Sequence, residues 1–404
     1  MATLSPPEVL VSDSIRNFHP QMAYRRFGKT EQQLSVITLG GMRFRELGGE
    51  PRAELSTPLI DQCAEVTQLA LDRGINHIET AYGYGKSEHA YGMVLNEVMQ
   101  VPRDRYVLMT KGKRGTADDM RRLVDEQLRA LRTDRIDLYG VHGINLPEHI
   151  SELCASGGAV EELHKMVDEG IIGSVGFSTH GPLEVIIDAL ATGMFSFLNV
   201  HYYYFLQRNR GAVDYAGAKD IGVFIISPND KGGRLFEPSQ RLQDLCTPLT
   251  PIQFNAKWCL NHPHISTLSF GLTEREHFVE MDGIFPLSLP LSAEELAIKQ
   301  RMDNAILADP LGAYEGFELI NDPSGINIPE VLRHRRMATC YGQDAFGHYR
   351  YNMFQAKGDW FPGEFATPER VEQVDTSRAP QGFPLKDLLN DTHQRFYKSQ
   401  STDN

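Results

Sequence analysis

Residues that could do acid–base chemistry stand at or just after the ends of three short apolar runs in this chain. Glu79 ends the first run, and Tyr84 follows it five residues later. Lys111 and His142 end the next two runs. A tyrosine with an unperturbed pKa of about 10 is a poor acid at neutral pH, but a neighbouring lysine cation stabilises the phenolate and lowers that pKa. The four residues could therefore form a tyrosine-based proton donor for carbonyl reduction.

Glu79 and His142 could assist the proton transfer from Tyr84. A carboxylate such as Glu79 can orient Lys111, and His142 can hydrogen-bond and polarise a carbonyl oxygen. No side chain can supply a hydride, so the reduction would require a nicotinamide cofactor. His180 and His201 lie near the same strand ends, and we expect them to support the site rather than to take part in catalysis.

An alternation of strands and helices must position these residues. Amphipathic helical patterns separate eight predicted core strands, one beginning at residue 34 and the others at 75–79, 106–109, 136–141, 172–177, 197–201, 222–226 and 267–270. This rhythm predicts an α/β fold, a (β/α)8 TIM barrel with an N-terminal β-hairpin, in which the carboxyl ends of the strands meet at one mouth. No G-x-G-x-x-G follows the early strands, which disfavours a doubly wound dinucleotide-binding sheet.

Composition excludes several classes of partner. The formal net charge of -13 argues against a nucleic-acid groove or an anionic membrane surface, because both select clustered Lys and Arg. The five cysteines are scattered and contain no C-x-x-C pair, so neither a disulfide framework nor a metal site is predicted. We expect no signal peptide and no spanning helix, and we predict a cytoplasmic protein whose partner is a small-molecule carbonyl substrate.

Taken in order, these motifs resemble the aldo-keto reductase superfamily, whose catalytic tetrad is matched by Glu79, Tyr84, Lys111 and His142. The resemblance implies reduction of aldehydes and ketones with NADPH, less often with NADH. It also implies a set of cofactor-binding residues: Gly41, Met42, Arg43, Ser178, Thr179, Asn199, Ser227, Pro228, Lys231, Gly271, Thr273 and Arg275. For Lys231, a cationic loop over the cofactor pyrophosphate and a solvated Gly-rich turn are both open interpretations.

Several positions depart from the family pattern. The family usually has Asp at the position of Glu79, Asn at Thr179, Gln at Asn199 and an aromatic ring at Ile226. Glu274 would repel an adenosine phosphate that the neighbouring Arg275 could bind, so the choice between NADPH and NADH stays open. Because of these departures, a second hypothesis stays open, in which the protein is a nucleotide-sensing or partner-binding barrel with vestigial catalytic activity.

The resemblance divides the chain into an N-terminal arm (1–21), a barrel (22–290) and a helical C-terminal extension with a tail (291–404). The extension is similar to a branch of these reductases that carries a ferredoxin-like cluster just before a segment like 323–329. The cluster cysteines are absent here, and Cys340 alone cannot hold iron and sulfur. An electron-transfer oxidoreductase would need that cluster. We expect instead a helical remnant that packs on the barrel or covers its mouth. Its task, the carbonyl substrate and the oligomeric state are left open.

Overall fold

A closed barrel of eight parallel strands forms the centre of the molecule. The computed structural model describes residues 14–313, 322–354 and 360–398. The barrel strands, in chain order and in order around the barrel, are β3 (Ile37–Gly40), β4 (His77–Glu79), β5 (Val107–Lys113), β6 (Ile136–His142), β7 (Ile172–Ser178), β8 (Phe197–Val200), β9 (Gly222–Ile225) and β10 (Ile265–Phe270). β10 pairs with β3 to close the ring. The predicted TIM barrel is confirmed.

A two-stranded antiparallel hairpin covers the amino-terminal end of the barrel. It consists of β1 (Tyr24–Arg26) and β2 (Gln33–Ser35). Phe27 lies between these strands and packs against Phe197 with ring centroids 5.5 Å apart. Because apolar side chains of the hairpin and of the barrel interior form one buried cluster, this end of the barrel is filled by packed side chains.

Helices surround the barrel as the sequence predicts. They are α1 (Thr57–Asp72), α2 (Ser87–Met93), α3 (Ala117–Leu131), α4 (Pro147–Leu153), α5 (Ala159–Asp168), α6 (Leu183–Ala191), α7 (Arg210–Ala218), α8 (Gln240–Cys246), α9 (Pro251–Leu260) and α10 (Arg275–Asp282). Their starts follow the sequence: Ser56 and Thr116 cap α1 and α3 with side-chain hydrogen bonds. α4 and α9 are additional helices that the periodicity did not predict. α9 is buried on almost every face, so it lacks an amphipathic pattern.

The C-terminal extension is a helical layer with its own apolar core. It contains α11 (Ala293–Leu307), α12 (Ile328–Tyr341), α13 (Asp344–Tyr351), α14 (Pro368–Val371) and α15 (Leu385–Phe396). The helical extension that the sequence predicts is seen as α11 and α12, whereas α13, α14 and α15 lie in a stretch broken by Gly and Pro, where periodicity gives little signal. Part of the predicted N-terminal arm (1–13) and part of the tail lie outside the described residues. The domain boundaries themselves stay a prediction.

Polar contacts join this extension to the loops at the barrel mouth. Arg333 on α12 donates to the carbonyl oxygens of Phe205, at 3.1 Å, and Lys231, at 2.5 Å. Gln343 donates to the carbonyl of Gly233 at 2.8 Å. The extension therefore both packs on the barrel and covers part of its mouth. In the described residues, no helix combines the length and the apolar character needed to cross a bilayer.

Candidate active site

The carboxyl ends of neighbouring strands bring the predicted catalytic residues together. Glu79 is the last residue of β4, Lys111 lies near the end of β5, and His142 ends β6. Tyr84 follows β4 in the loop that leads into α2. Residues separated by up to 63 positions in the sequence thus share one mouth, because parallel strands of a barrel all end on the same side.

Glu79 and Lys111 form a buried ion pair. Their side chains are only 3% and 1% exposed, and the Lys111 ammonium also donates to the carbonyl of Thr80 at 2.9 Å. Ser269 donates to the second carboxylate oxygen of Glu79 at 3.3 Å. Burial lowers the pKa of Lys111, and Glu79 opposes that effect. Each charge depends on the other, since removing one partner of a buried pair leaves the other uncompensated.

Tyr84 contacts both members of this pair. Its hydroxyl donates to Oε1 of Glu79 at 3.2 Å, and the Lys111 ammonium lies 4.8 Å from the centre of its ring. Burial, and then the negative charge of Glu79, raise the pKa of Tyr84 well above its ordinary value. This direction is opposite to the one expected from Lys111 alone, because burial disfavours the phenolate and the Glu79 carboxylate, which accepts from the phenol, adds to that effect.

His142 lies beside Tyr84 at the mouth. The two rings meet edge to face with centroids 5.9 Å apart. Burial, and then the positive charge of Lys111, lower the pKa of His142 to about 3. The imidazole is therefore neutral at physiological pH, and it can donate one hydrogen bond to a carbonyl oxygen without carrying a charge.

A narrow cleft next to Tyr84 and Glu79 holds many of the predicted cofactor positions. Among the predicted residues, its walls include Met42, Arg43, Ser227 and Gly271. Gly41 lies behind this wall, where a Cβ atom would come within 2.5 Å of the buried Tyr91 ring, so only glycine fits. Pro228 also follows β9 at this side of the mouth, and its carbonyl accepts from Asn255 at 3.2 Å.

Two asparagines near this cleft have polar atoms without partners. Within the described residues, buried Oδ1 of Asn199 accepts no hydrogen bond, and the same is true of both amide atoms of Asn229, which lines the cleft. Buried polar atoms are normally paired, so these atoms fit an amide or hydroxyl of a bound cofactor. Asn229 was not predicted, although it lies two residues after Ser227. The predicted Thr179 is already engaged, donating to the carbonyl of Ile144 at 2.7 Å, while Ser178 ends β7 with its hydroxyl 3.3 Å from the Gly143 amide.

The far end of the cleft is where the sequence places the adenosine phosphate. Arg275 pairs with Glu65 at 2.9 Å, and Glu274 pairs with Arg45 at 2.6 Å. The carbonyl of Thr273 accepts from a glutamine of α1 at 3.1 Å. Arg45 was not predicted as part of the site, since it is 229 positions away from Glu274. Its charge reduces the repulsion that Glu274 alone would exert on a phosphate.

Lys231 does not line the cleft described above. Its ammonium lies 5.8 Å from the ring of Trp360, a residue of the C-terminal extension, and it borders a second cavity. Trp360 also contacts His142, with centroids 5.1 Å apart, and His180, at 4.4 Å. The predicted contact of Lys231 with the cofactor thus stays a prediction. Nothing in the sequence pattern pointed to Trp360, which reaches the site only through the packing of the extension.

A closed (β/α)8 barrel with a buried carboxylate–lysine pair and a half-buried tyrosine and histidine at its mouth defines a class of barrel oxidoreductases. The sequence model of the aldo/keto reductase family matches residues 36–295, more than half of the chain. The chain belongs to this family, as the resemblance predicted. No group of three or more His, Cys, Asp or Glu side chains in the described ranges is arranged to hold a metal ion.

Two characterised relatives illustrate the similarity. The chain is 27% identical to L-galactose dehydrogenase of Arabidopsis thaliana over 220 residues, which are 50% of this chain and 64% of that protein. It is 30% identical to the 6-dehydroglucose reductase of Novosphingobium aromaticivorans over 146 residues, 32% of this chain and 45% of that protein. The matched region is therefore less than two thirds of the length of either relative.

Solved structures agree in fold. An aldo-keto reductase of Bacillus halodurans in its holo form superposes with a TM-score of 0.55 at 21% identity, covering 69% of this chain and 96% of that one. An aldo/keto reductase of Klebsiella pneumoniae in complex with NADP and acetate gives 0.54 at 24% identity, covering 69% and 94%. About a third of this chain is left uncovered in both comparisons, and the match to the family model ends at residue 295, near the start of the C-terminal extension.

Proposed function

We propose that the protein reduces an aldehyde or ketone to an alcohol with NADPH, NADH being the alternative donor. The observation that carries this proposal is the contact of Tyr84 with the buried Glu79–Lys111 pair, beside His142 and next to the cleft with unpartnered asparagines. Family membership supports the same reaction class.

In this reaction Tyr84 is the general acid. Its hydroxyl turns from Glu79 to the substrate oxygen and gives up its proton as the carbonyl carbon is reduced. Lys111, already 4.8 Å from the ring centre, stabilises the resulting phenolate, and Glu79 holds Lys111 in place. The neutral His142 directs the carbonyl by donating a hydrogen bond to its oxygen. The product is the alcohol, and Tyr84 regains its proton from solvent.

NADPH, when bound, supplies the hydride that these side chains cannot. We assign its contacts to the cleft residues Met42, Arg43, Ser227 and Gly271, with Asn229 added from the structure. The predicted residues around the cleft, namely Gly41, Ser178, Asn199, Pro228, Thr273 and Arg275, complete the proposed set. The bound NADP of the Klebsiella pneumoniae enzyme supports this cofactor class. The names of the two relatives above indicate that the family includes sugar dehydrogenases and reductases, so sugar-like carbonyl compounds belong in the first substrate panel.

A second candidate is a nucleotide-sensing or partner-binding barrel with vestigial catalytic activity. The observation that favours it is the raised pKa of Tyr84, caused first by burial and then by Glu79, because a weaker acid protonates a carbonyl less readily. That the protein binds no nucleic acid and that it is cytoplasmic both stay predictions.

Titration of the purified protein with NADPH and NADH, followed by nicotinamide fluorescence, tests the cofactor assignment first. Consumption of the bound reduced cofactor is then measured against a panel of aldehydes, ketones and sugars. We expect tight binding of NADPH and turnover of at least one carbonyl. Binding without turnover on the whole panel would favour the sensor, and binding of neither nucleotide would refute both the reductase and the nucleotide sensor, leaving the partner-binding barrel.

A further inference from the structure

A second cavity lies between the barrel and the C-terminal extension. Its walls include His180, His201 and Lys231 of the barrel and Glu330, Arg333 and Arg350 of the extension. The enclosed volume is about 30 Å³, whereas one water needs roughly 10–15 Å³. The cavity is thus large enough for a small polar group and too small for a whole substrate.

Positive charge dominates this cavity. Four basic side chains line it, namely Arg208, Lys231, Arg333 and Arg350, against the single carboxylate of Glu330. Burial, and then the charge of Arg350, lower the pKa of Lys231 to about 7, so the three arginines carry most of this charge. Glu330 lies 3.2 Å from Arg333 and 3.5 Å from Arg208, so it compensates these two. Although burial opposes ionisation, these arginines hold the pKa of Glu330 at about 2, and the carboxylate stays charged.

Arg350 and Lys231, the other two basic residues of the cavity, form no ion pair with a carboxylate in the described part of the chain. Arg350 is 6% exposed, its Nε lacks a hydrogen-bond acceptor, and its Nη1 reaches only the sulfur of Met353, at 3.6 Å. Its guanidinium stacks 4.0 Å from the centre of the Phe361 ring. Lys231 makes no ion pair with a described residue and faces the ring of Trp360. A buried charge without a partner is costly, so the Arg350 guanidinium favours an anionic ligand in this cavity, and such an anion would also favour the protonated form of Lys231.

A series of ring contacts links the cavity to His142. His201 and His180, which line it, are 3.0 Å apart between their ring nitrogens, and His180 packs against Trp360. Trp360 in turn contacts His142. Burial, and then the charge of Lys231, lower the pKa of both His180 and His201 well below the ordinary value. Both imidazoles are therefore neutral and add no positive charge to the cavity.

We propose that Arg350 and Lys231 bind a carboxylate at the far end of the carbonyl substrate, so that this protein prefers aldehydes or ketones that carry an acid group. The assignment rests on the proposed reduction and names its substrate class. The extension thus determines substrate specificity, because Arg350 on α13 binds the acid group of the substrate while the barrel residues carry out the reduction. A guanidinium suits this task because its planar donors match a carboxylate.

Kinetics with a matched pair of substrates tests the inference. The ratio of kcat/KM for para-carboxybenzaldehyde to that for para-nitrobenzaldehyde is measured for the native protein and for Arg350→Met. The two aldehydes have similar shapes and differ in charge. We expect the native protein to favour the carboxylate and the ratio to fall about tenfold or more in the variant, since hydrogen bonds to charged groups are the stronger ones. Arg122→Met, at an exposed arginine of α3, is the control and should keep the native ratio.

Two further measurements separate the alternatives. The affinity for NADPH should stay within about twofold of native in Arg350→Met; a fall in NADPH affinity with an unchanged ratio would mean that these cations serve the cofactor, and would overturn the inference. If Arg350→Met fails to fold, the same ratio of kcat/KM values is measured for Lys231→Met, which changes the barrel side of the cavity. The ratio should fall in that variant as well.

Calorimetric titration with benzoate, and with benzyl alcohol as its neutral match, does not depend on turnover. If no aldehyde is reduced, the proposed function fails, yet benzoate binding that is lost in Arg350→Met would still establish the anion site. A ratio of kcat/KM values that is unchanged in the variant would refute the site. If there is no turnover, failure of the native protein to bind benzoate would refute it.

Discussion

The hydroxyl of Tyr84 donates to the same carboxylate oxygen of Glu79 that pairs with Lys111. One oxygen therefore holds both the proton donor and the cation that stabilises its phenolate. This arrangement orients the two groups but also raises the pKa of Tyr84, whose burial is the larger cause. The length of the Glu79 side chain is what allows the carboxylate to reach both.

Tyr84→Phe should remove the proton donor and leave the cofactor cleft in place. We expect turnover to fall by at least about a hundredfold, as for the loss of a general acid, with NADPH affinity changed by less than about threefold. Single-turnover rates and a fluorescence titration measure the two quantities. Loss of both together would contradict the assigned role.

Glu79→Asp should draw the carboxylate back from the Tyr84 hydroxyl while keeping its charge near Lys111. The pKa of Tyr84 then falls, and we expect turnover to rise by up to about tenfold, since an acid with a pKa nearer the working pH transfers its proton more readily. The pH profile of kcat should shift toward lower pH on its alkaline side. A slower variant with an unshifted profile would show that Glu79 does not govern the acidity of Tyr84.

Glu88 should make the protein less stable as the pH rises. Burial raises its pKa to about 7 from an ordinary value of 4.5, although Thr110 and Gln127 donate to its Oε1 at 2.5 and 2.6 Å. Between these two values the folded state holds a proton that the unfolded state has lost, so the free energy of unfolding decreases with pH by about 3 kcal/mol at most.

Glu88→Gln removes that titration and keeps an oxygen that accepts from Thr110. We expect the variant to gain stability relative to the native protein at about pH 8 and to differ little at about pH 5, as measured by urea denaturation at both values. Equal slopes with pH in the two proteins would contradict the assignment of this titration to Glu88.

Asp230→Asn should strengthen NADPH binding. Asp230 borders the cofactor cleft and forms an ion pair with Arg43, which is 44% exposed. The substitution removes a negative charge near the expected phosphates and frees the arginine, so we expect about a fivefold gain in affinity, the size of a partly exposed ion pair. Asp244→Asn, at an exposed position of α8, is the control. Weaker binding in Asp230→Asn would mean that the pair maintains the shape of the cleft.

The sequence by itself determined the barrel and the convergence of Glu79, Lys111 and His142. Both follow from local information: apolar runs define strands, capping residues define helices, and parallel strands place their carboxyl ends at one mouth. Local patterns fail where an element is buried on all sides, as in α9, or interrupted by Gly and Pro, as near α15.

Only the tertiary structure decided the environment of the site. The direction of the Tyr84 pKa, the pairing of Glu274 with Arg45 and the placement of Trp360 over His142 depend on atoms brought together from distant parts of the chain. Burial and Coulomb interactions depend on distances in space, which spacing along a sequence does not encode. The cationic cavity under the extension belongs to this second group, and it became visible only once Arg350 was seen beside the barrel mouth.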